Sequence, residues 1–240
     1  MKRLLCGFAL IGLVLALSSE AASAQMAGFI NYPAIGGVGV KVWGDYGRGL
    51  NDDAAKANYF GGRAELGIPA VSFWLGAGAV SPEAIEGAEV EGYEVTFGGG
   101  AGVNLIKDPM APVKISVQAA VGTIASSRYT ADRGRQTTIP FGLAAAGNLG
   151  TGGVTIVPWA YAFGEYISLS PSSETGGESL SKVGFGISGG LELNLPMGLG
   201  IHAAIDWSSV DLVGGTDTKV NPLTLALGLS YKATVPSLGM

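Results

Sequence analysis

The residues of this sequence that could do chemistry are few. There is one histidine, His202, in a chain whose charged residues make up only 14%. Glu192 precedes it and Asp206 follows it, so the imidazole and carboxylate types that hydrolytic centres use share one short stretch. Lys41, Arg63, Glu65, Glu94 and Lys114 stand in segments that are otherwise mostly apolar or glycine-rich. Charges of balanced sign in an enclosed space have two uses. They neutralise one another as ion pairs, or they line a narrow passage and select the ions that cross it. Which use applies depends on the elements that hold them.

Those elements read as strands. In LTLALGLSY at 223–231, Leu223, Leu225, Leu227, Leu229 and Tyr231 alternate with Thr224, Ala226, Gly228 and Ser230. Successive strand side chains point to opposite faces, so the segment has one large apolar face and one small or polar face. Ten segments follow this scheme. Val40 and Val42 oppose Lys41 and Trp43; Phe60, Ala64 and Leu66 oppose Arg63 and Glu65; Phe73 and Leu75 oppose Trp74. Val95, Phe97 and Val103 oppose Glu94, and Val113, Val117 and Val121 oppose Lys114 and Gln118. Ile139, Phe141 and Leu143 define the sixth. The eighth sets Val183, Phe185 and Leu191 against Glu192, and the ninth sets Ile201, Ile205 and Trp207 against His202 and Asp206. The seventh carries Val157, Trp159, Tyr161 and Phe163 on its apolar face, which requires a phase slip after Ile156 and a bulge near Pro158. An eight-strand alternative would arise from a mis-drawn hairpin there.

The first residues have the order of a secretory signal peptide at 1–24. Lys2 and Arg3 precede an apolar run at 10–17, and Ala22, Ser23 and Ala24 stand before Gln25. The only cysteine, Cys6, lies in that leader, so the exported chain has neither a disulfide framework nor a thiolate metal site. Cofactor motifs are absent: the glycine run at 98–100 lacks the lysine and the helix of a phosphate loop. A net charge of −5 argues against nucleic acid as a partner.

The links between strands alternate between short and long. Short ones lie at 68–70, 107–112, 148–153 and 195–198; long polar ones lie at 47–56, 81–91, 126–136, 168–182 and 208–219. An even strand number, one apolar face throughout and alternating links are the plan of a closed antiparallel barrel that crosses a membrane. In these features the chain resembles the small OmpA-like and porin-like outer-membrane β-barrels of Gram-negative bacteria. Gly228, Leu229 and Tyr231 resemble the glycine, hydrophobic and aromatic signal of the last strand in such barrels. The resemblance implies an all-β antiparallel barrel at 36–231, inserted into the outer membrane by the barrel-assembly machinery and surrounded by lipid and lipopolysaccharide. It places 25–35 in the periplasm and leaves 232–240 as a tail.

About eight strands leave an interior just filled by side chains, so ten enclose a narrow lumen. Many inward positions are glycine or alanine, which should hollow it. Lys41, Arg63, Glu65, Glu94, Lys114, Glu192, His202 and Asp206 then form either a salt-bridged plug or the charge ring of a pore. Enzyme chemistry is not expected. His202 and Asp206 lie about 13 Å apart along one strand, Glu192 lies diagonal to His202, and the neighbours Gly190, Gly200 and Ala204 add neither nucleophile nor acid. The expected role is a porin-like channel or a structural membrane barrel. A loop-mediated adhesion barrel is the alternative, and a lipid-modifying enzyme dependent on His202 a more distant one. In the loops, Arg128, Arg133 and Arg135 have the chemistry to meet lipopolysaccharide phosphates. Tyr46, Tyr59, Tyr93, Tyr166 and Trp207, with Trp159 and Tyr231 at the other end, are placed as an interfacial girdle.

Overall fold

Alternation persists long enough in ten places to make strands that pair edge to edge into a ring. The computed structural model describes residues 32, 38–54, 56–68, 70–81, 84–85, 88–89, 92–106, 111–124, 135–151, 153–170, 180–212 and 218–233. Its long strands are β1 (Gly39–Gly49), β2 (Asn58–Gly67), β3 (Val71–Ser81), β4 (Glu94–Asn104) and β5 (Val113–Ile124). They continue as β6 (Arg135–Gly147), β7 (Val154–Ser170), β8 (Leu180–Asn194), β9 (Leu199–Leu212) and β10 (Leu223–Ala233). Each pairs antiparallel with its neighbour in sequence, and β10 returns to β1, closing an all-β barrel. Closure leaves no unpaired edge, the condition for strands to cross a bilayer.

The short links gather at one end of the barrel, here the turn end, and the long links at the other, the loop end. The turn after β8 closes with the Leu195 amide donating to the Leu199 carbonyl at 2.7 Å. Gly198 takes φ +85 there, a left-handed conformation that glycine adopts without strain. The outer wall is apolar: Leu75 is 74% and Val183 67% exposed. A continuous belt of this kind is a face for lipid rather than for water.

Nine strands carry their apolar faces outward as their alternation predicts; β7 does not. Its pairing with β8 runs without interruption from Thr155 opposite Asn194 to Leu169 opposite Leu180, passing Pro158 opposite Leu191. There is no bulge and no phase slip. Pro158 lacks an N–H, so the ladder to the preceding chain breaks beside it and resumes in the same register, Trp159 opposite Ala146 and Ile156 opposite Leu149. Val157, Trp159, Tyr161 and Phe163 are therefore buried inside, and Pro158, Ala160, Ala162 and Gly164 face out. The outer ring of Phe141 covers that small-residue strip: a Cβ on Gly164 would meet it at 2.9 Å.

The girdle changes accordingly. Tyr46, Tyr93, Tyr166 and Tyr231 are exposed on the outer wall, and Trp207 meets Phe185 there edge to face at 5.5 Å. Tyr59 and Trp159 are 6% and 3% exposed and belong to the lumen.

Inward glycines do not hollow the barrel either; they seat its aromatics. A Cβ on Gly100 would lie 2.7 Å from Trp74 Nε1, and one on Gly190 2.8 Å from the Trp159 ring. Gly78 and Gly186 stand in the same relation to Tyr59 and Phe163, the first at 2.6 Å. Each ring lies flat over a neighbouring strand because that strand has no side chain there. Around these rings the lumen is filled as a core is filled.

Candidate functional site

All eight charged residues expected on the inner face are there, and they fall into three levels. Nearest the turn end, Lys41, Glu65, Lys114 and Glu192 line one cavity of about 720 Å³, together with Lys232. Strand alternation sets this, since Lys41 is directly opposite Glu65 on one side and Lys232 on the other. Lys41 Nζ forms an ion pair with Glu192 Oε1. The Ser230 hydroxyl donates to the same Glu192 oxygen at 2.8 Å. Ser230 and Glu192 reach one another across β9 because Gly200 lies between them, where a Cβ would come within 3.0 Å of Glu192 Oε1.

The middle level is closed. The Arg63 guanidinium lies 4.3 Å from the Trp43 ring centre, 5.0 Å from Tyr32 and 5.2 Å from Trp74. Three aromatic faces around one desolvated cation each contribute attraction. Tyr32 comes from the segment expected to lie in the periplasm, yet its side chain is inside the barrel. Its carbonyl accepts from Arg63 Nη1 at 3.5 Å and from Gln118 Nε2 at 3.3 Å. Its hydroxyl donates to Asp45 Oδ1 at 3.5 Å, and its ring packs on Trp159 at 5.4 Å and edge-on to His202 at 5.0 Å.

His202 bonds through Nε2 to Asp45 Oδ1 at 2.5 Å. Its acid is thus neither Asp206 nor Glu192, although Glu192 is directly opposite it in the β8–β9 register rather than diagonal. Asp45, Gly228 and His202 lie in one row across β1, β10 and β9. A Cβ on Gly228 would sit 2.5 Å from Asp45 Oδ1, so the glycine read as part of the last-strand signal also lets the bridge cross β10. The other two residues of that signal, Leu229 and Tyr231, face outward. The nearby Ser230 hydroxyl, which a hydrolytic reading would want on the imidazole, is directed to Glu192 instead. What the arrangement does chemically is hold strands and Tyr32 together.

The third level, towards the loop end, holds buried Glu94, Asp206 and Glu165. Glu165 and Asp206 are buried there as like charges, and Ser208 is buried with them. Ile167, Val210 and Val220 pack together as a small apolar cluster on that side of the ring. Among the described residues, no group of three or more His, Cys, Asp or Glu is placed to hold a metal ion.

Reading the sequence missed Asp45, Glu165, Lys232 and Tyr32 as lumen residues. Carrying the Lys41–Trp43 alternation two residues further finds Asp45, and an unbroken β7 finds Glu165. Tyr32 precedes every strand and has no pattern to reveal it. Arg135 is exposed at the start of β6, whereas Arg128 and Arg133, and most of the long loops, lie outside the described residues.

No family model and no curated protein sequence matches this chain. Several solved structures align with it at low similarity. The N-terminal β-barrel domain of Pseudomonas aeruginosa OprF aligns over 82% of this chain and 99% of its own, at 12% identity and TM-score 0.37. Ail, the attachment invasion locus protein of Yersinia pestis, aligns over 82% and 100%, at 13% identity and TM-score 0.36. The outer membrane protease OmpT of Escherichia coli aligns over 81% and 94%, at 8% identity and TM-score 0.42. Likeness this distant carries nothing about activity. By its own strand pairing and apolar belt, the chain is a small membrane-spanning β-barrel of the outer-membrane type.

Proposed function

We propose that this chain is exported and inserted into a bacterial outer membrane by the barrel-assembly machinery, and that it serves there as a closed, structural barrel rather than as an open pore. The observation that carries this reading is the Arg63 cage, in which Tyr32, Trp43 and Trp74 occupy the mid-lumen around one guanidinium. A conducting pore keeps its charges hydrated and its axis clear. Here rings seated on glycines fill the axis. Enzyme chemistry is not part of the role, because the Ser230 hydroxyl beside the imidazole is directed to Glu192 and Tyr32 packs against the ring.

The test is potassium release from loaded liposomes containing the refolded chain. Intact barrels, verified by heat-modifiable gel mobility, are expected to release no more potassium than protein-free vesicles. Rapid, protein-dependent release would overturn the closed-barrel reading.

A further inference from the structure

Of the rings that meet in the closed middle, one does not belong to the wall. Trp43, Trp74, Trp159 and His202 extend from β1, β3, β7 and β9, whereas Tyr32 lies ahead of β1. Its contacts nevertheless go to strands on all sides. The hydroxyl meets Asp45 of β1, and the carbonyl meets Arg63 of β2 and Gln118 of β5. The ring packs on Trp159 of β7 and edge-on to His202 of β9. In a ten-strand ring β1 and β2 lie across from β5 and β7, so a residue that touches them all occupies the axis.

The wall around Tyr32 is built of small residues. Ala146, Ala204 and Ala226 are buried, and they form one cluster with Tyr32, Val157 and Trp159. A methyl group on the inner face of a barrel is buried only when something stands in the lumen over it. Ala146 and Val157 also line the turn-end cavity, which therefore reaches down to the residues that pack with Tyr32. The other groups at this level are polar. Arg63 Nε and Nη2 and His202 Nδ1 are buried and make no hydrogen bond among the described residues. Unsatisfied buried polar atoms are costly, and a hydrated lumen at this level would satisfy them.

We propose that Tyr32 is the plug of a gated pore: the wall alone encloses a narrow hydrated passage, and this one side chain, brought in from ahead of β1, shuts it. The proposal rests on the closed-barrel reading and assigns the closure to a single residue within the packed middle. Trp43, Arg63 and Trp74 are fixed to strands and stay with the wall. Tyr32 belongs to no strand, so it can withdraw without breaking a ladder hydrogen bond.

The experiment is potassium release from liposomes, with single-channel recording, for the refolded full-length chain carrying Tyr32→Ala. Heat-modifiable gel mobility verifies folded barrels. The unaltered chain is expected to stay closed, and Tyr32→Ala to give discrete current steps and potassium release about tenfold or more faster. Tyr32→Phe keeps the ring and should stay closed. Tyr161→Ala, which removes a buried ring from the wall itself, should also stay closed. Added p-cresol, the side chain that alanine lacks, should close Tyr32→Ala again, as a small ligand fills the cavity left by a truncated side chain. It should leave protein-free vesicles unchanged. Where Tyr32→Ala does not insert, Tyr32→Leu takes its place with the same expectation. A folded Tyr32→Ala or Tyr32→Leu as tight as the unaltered chain would overturn the proposal. So would equal release from Tyr161→Ala or Tyr32→Phe, or release that p-cresol does not reduce. Conductance by the unaltered chain would instead overturn the closed-barrel reading, so the two failures are distinguishable.

Discussion

The middle of this lumen and its turn-end mouth are built from the same alternating strands, yet one is packed and the other encloses a cavity. In the middle, each charge is tied up. Arg63 is enclosed by three rings, and Asp45 takes both His202 and Tyr32. At the mouth, only a few residues towards the turns, lysines outnumber glutamates around open space. The difference comes from glycine placement. Where glycines oppose aromatics, rings lie flat and the interior packs; where the wall carries Lys41, Lys114 and Lys232, no ring crosses and the cavity remains. Position along one strand therefore separates a packed interior from a solvated one.

The largest expected effect tests whether the middle behaves as a core. Trp159→Ala should destabilise the barrel by about 3–5 kcal/mol, as for large aromatics elsewhere in protein cores. The outward Leu75→Ala should cost far less, with urea midpoints read from gel mobility. Equal losses would mean that the rings of β7 face lipid after all. Next comes the bridge across β10. Gly228→Val puts a side chain between Asp45 and His202 and should cost about 3 kcal/mol by overpacking, measured in the same titration.

A subtler sharpening is the double-mutant cycle of Asp45→Asn and His202→Ala. Direct contact predicts a coupling of about 1–2 kcal/mol. Additive effects would show that the imidazole and carboxylate do not interact. The smallest effect belongs to the mouth: Lys114→Gln should change stability by no more than about 0.5 kcal/mol. A larger loss would make Lys114 part of the packed wall and erase the contrast between the two regions.

The fold was largely legible because alternation of period two is a direct imprint of a wall with lipid on one side. Val40, Phe73, Val95 and Leu229 announce their faces by size alone. β7 defeated that rule, since its large residues pack inward while Phe141 of β6 covers the small ones outside. Size marks the lipid face only where the lumen has no use for aromatics. The charged positions were legible by parity, so Lys41, Arg63, Glu65, Glu94, Lys114, Glu192, His202 and Asp206 all point inward. Their partners were not, because Asp45 reaches His202 over one strand and Lys41 reaches Glu192 over two. Parity gives a face, whereas partnership across the ring needs the register of strands far apart in sequence. Tyr32 lies beyond both kinds of reasoning, since no periodicity leads to a residue that enters the lumen from outside the strands.

The closed middle is the central claim, and single-channel recording of the refolded full-length chain in a planar bilayer tests it most directly. Barrels that insert, shift on gels when heated and yet give no discrete current steps are the predicted result. Regular steps of a fixed conductance from the unaltered chain would contradict it, because ions cannot pass an axis occupied by Tyr32, Arg63 and their rings.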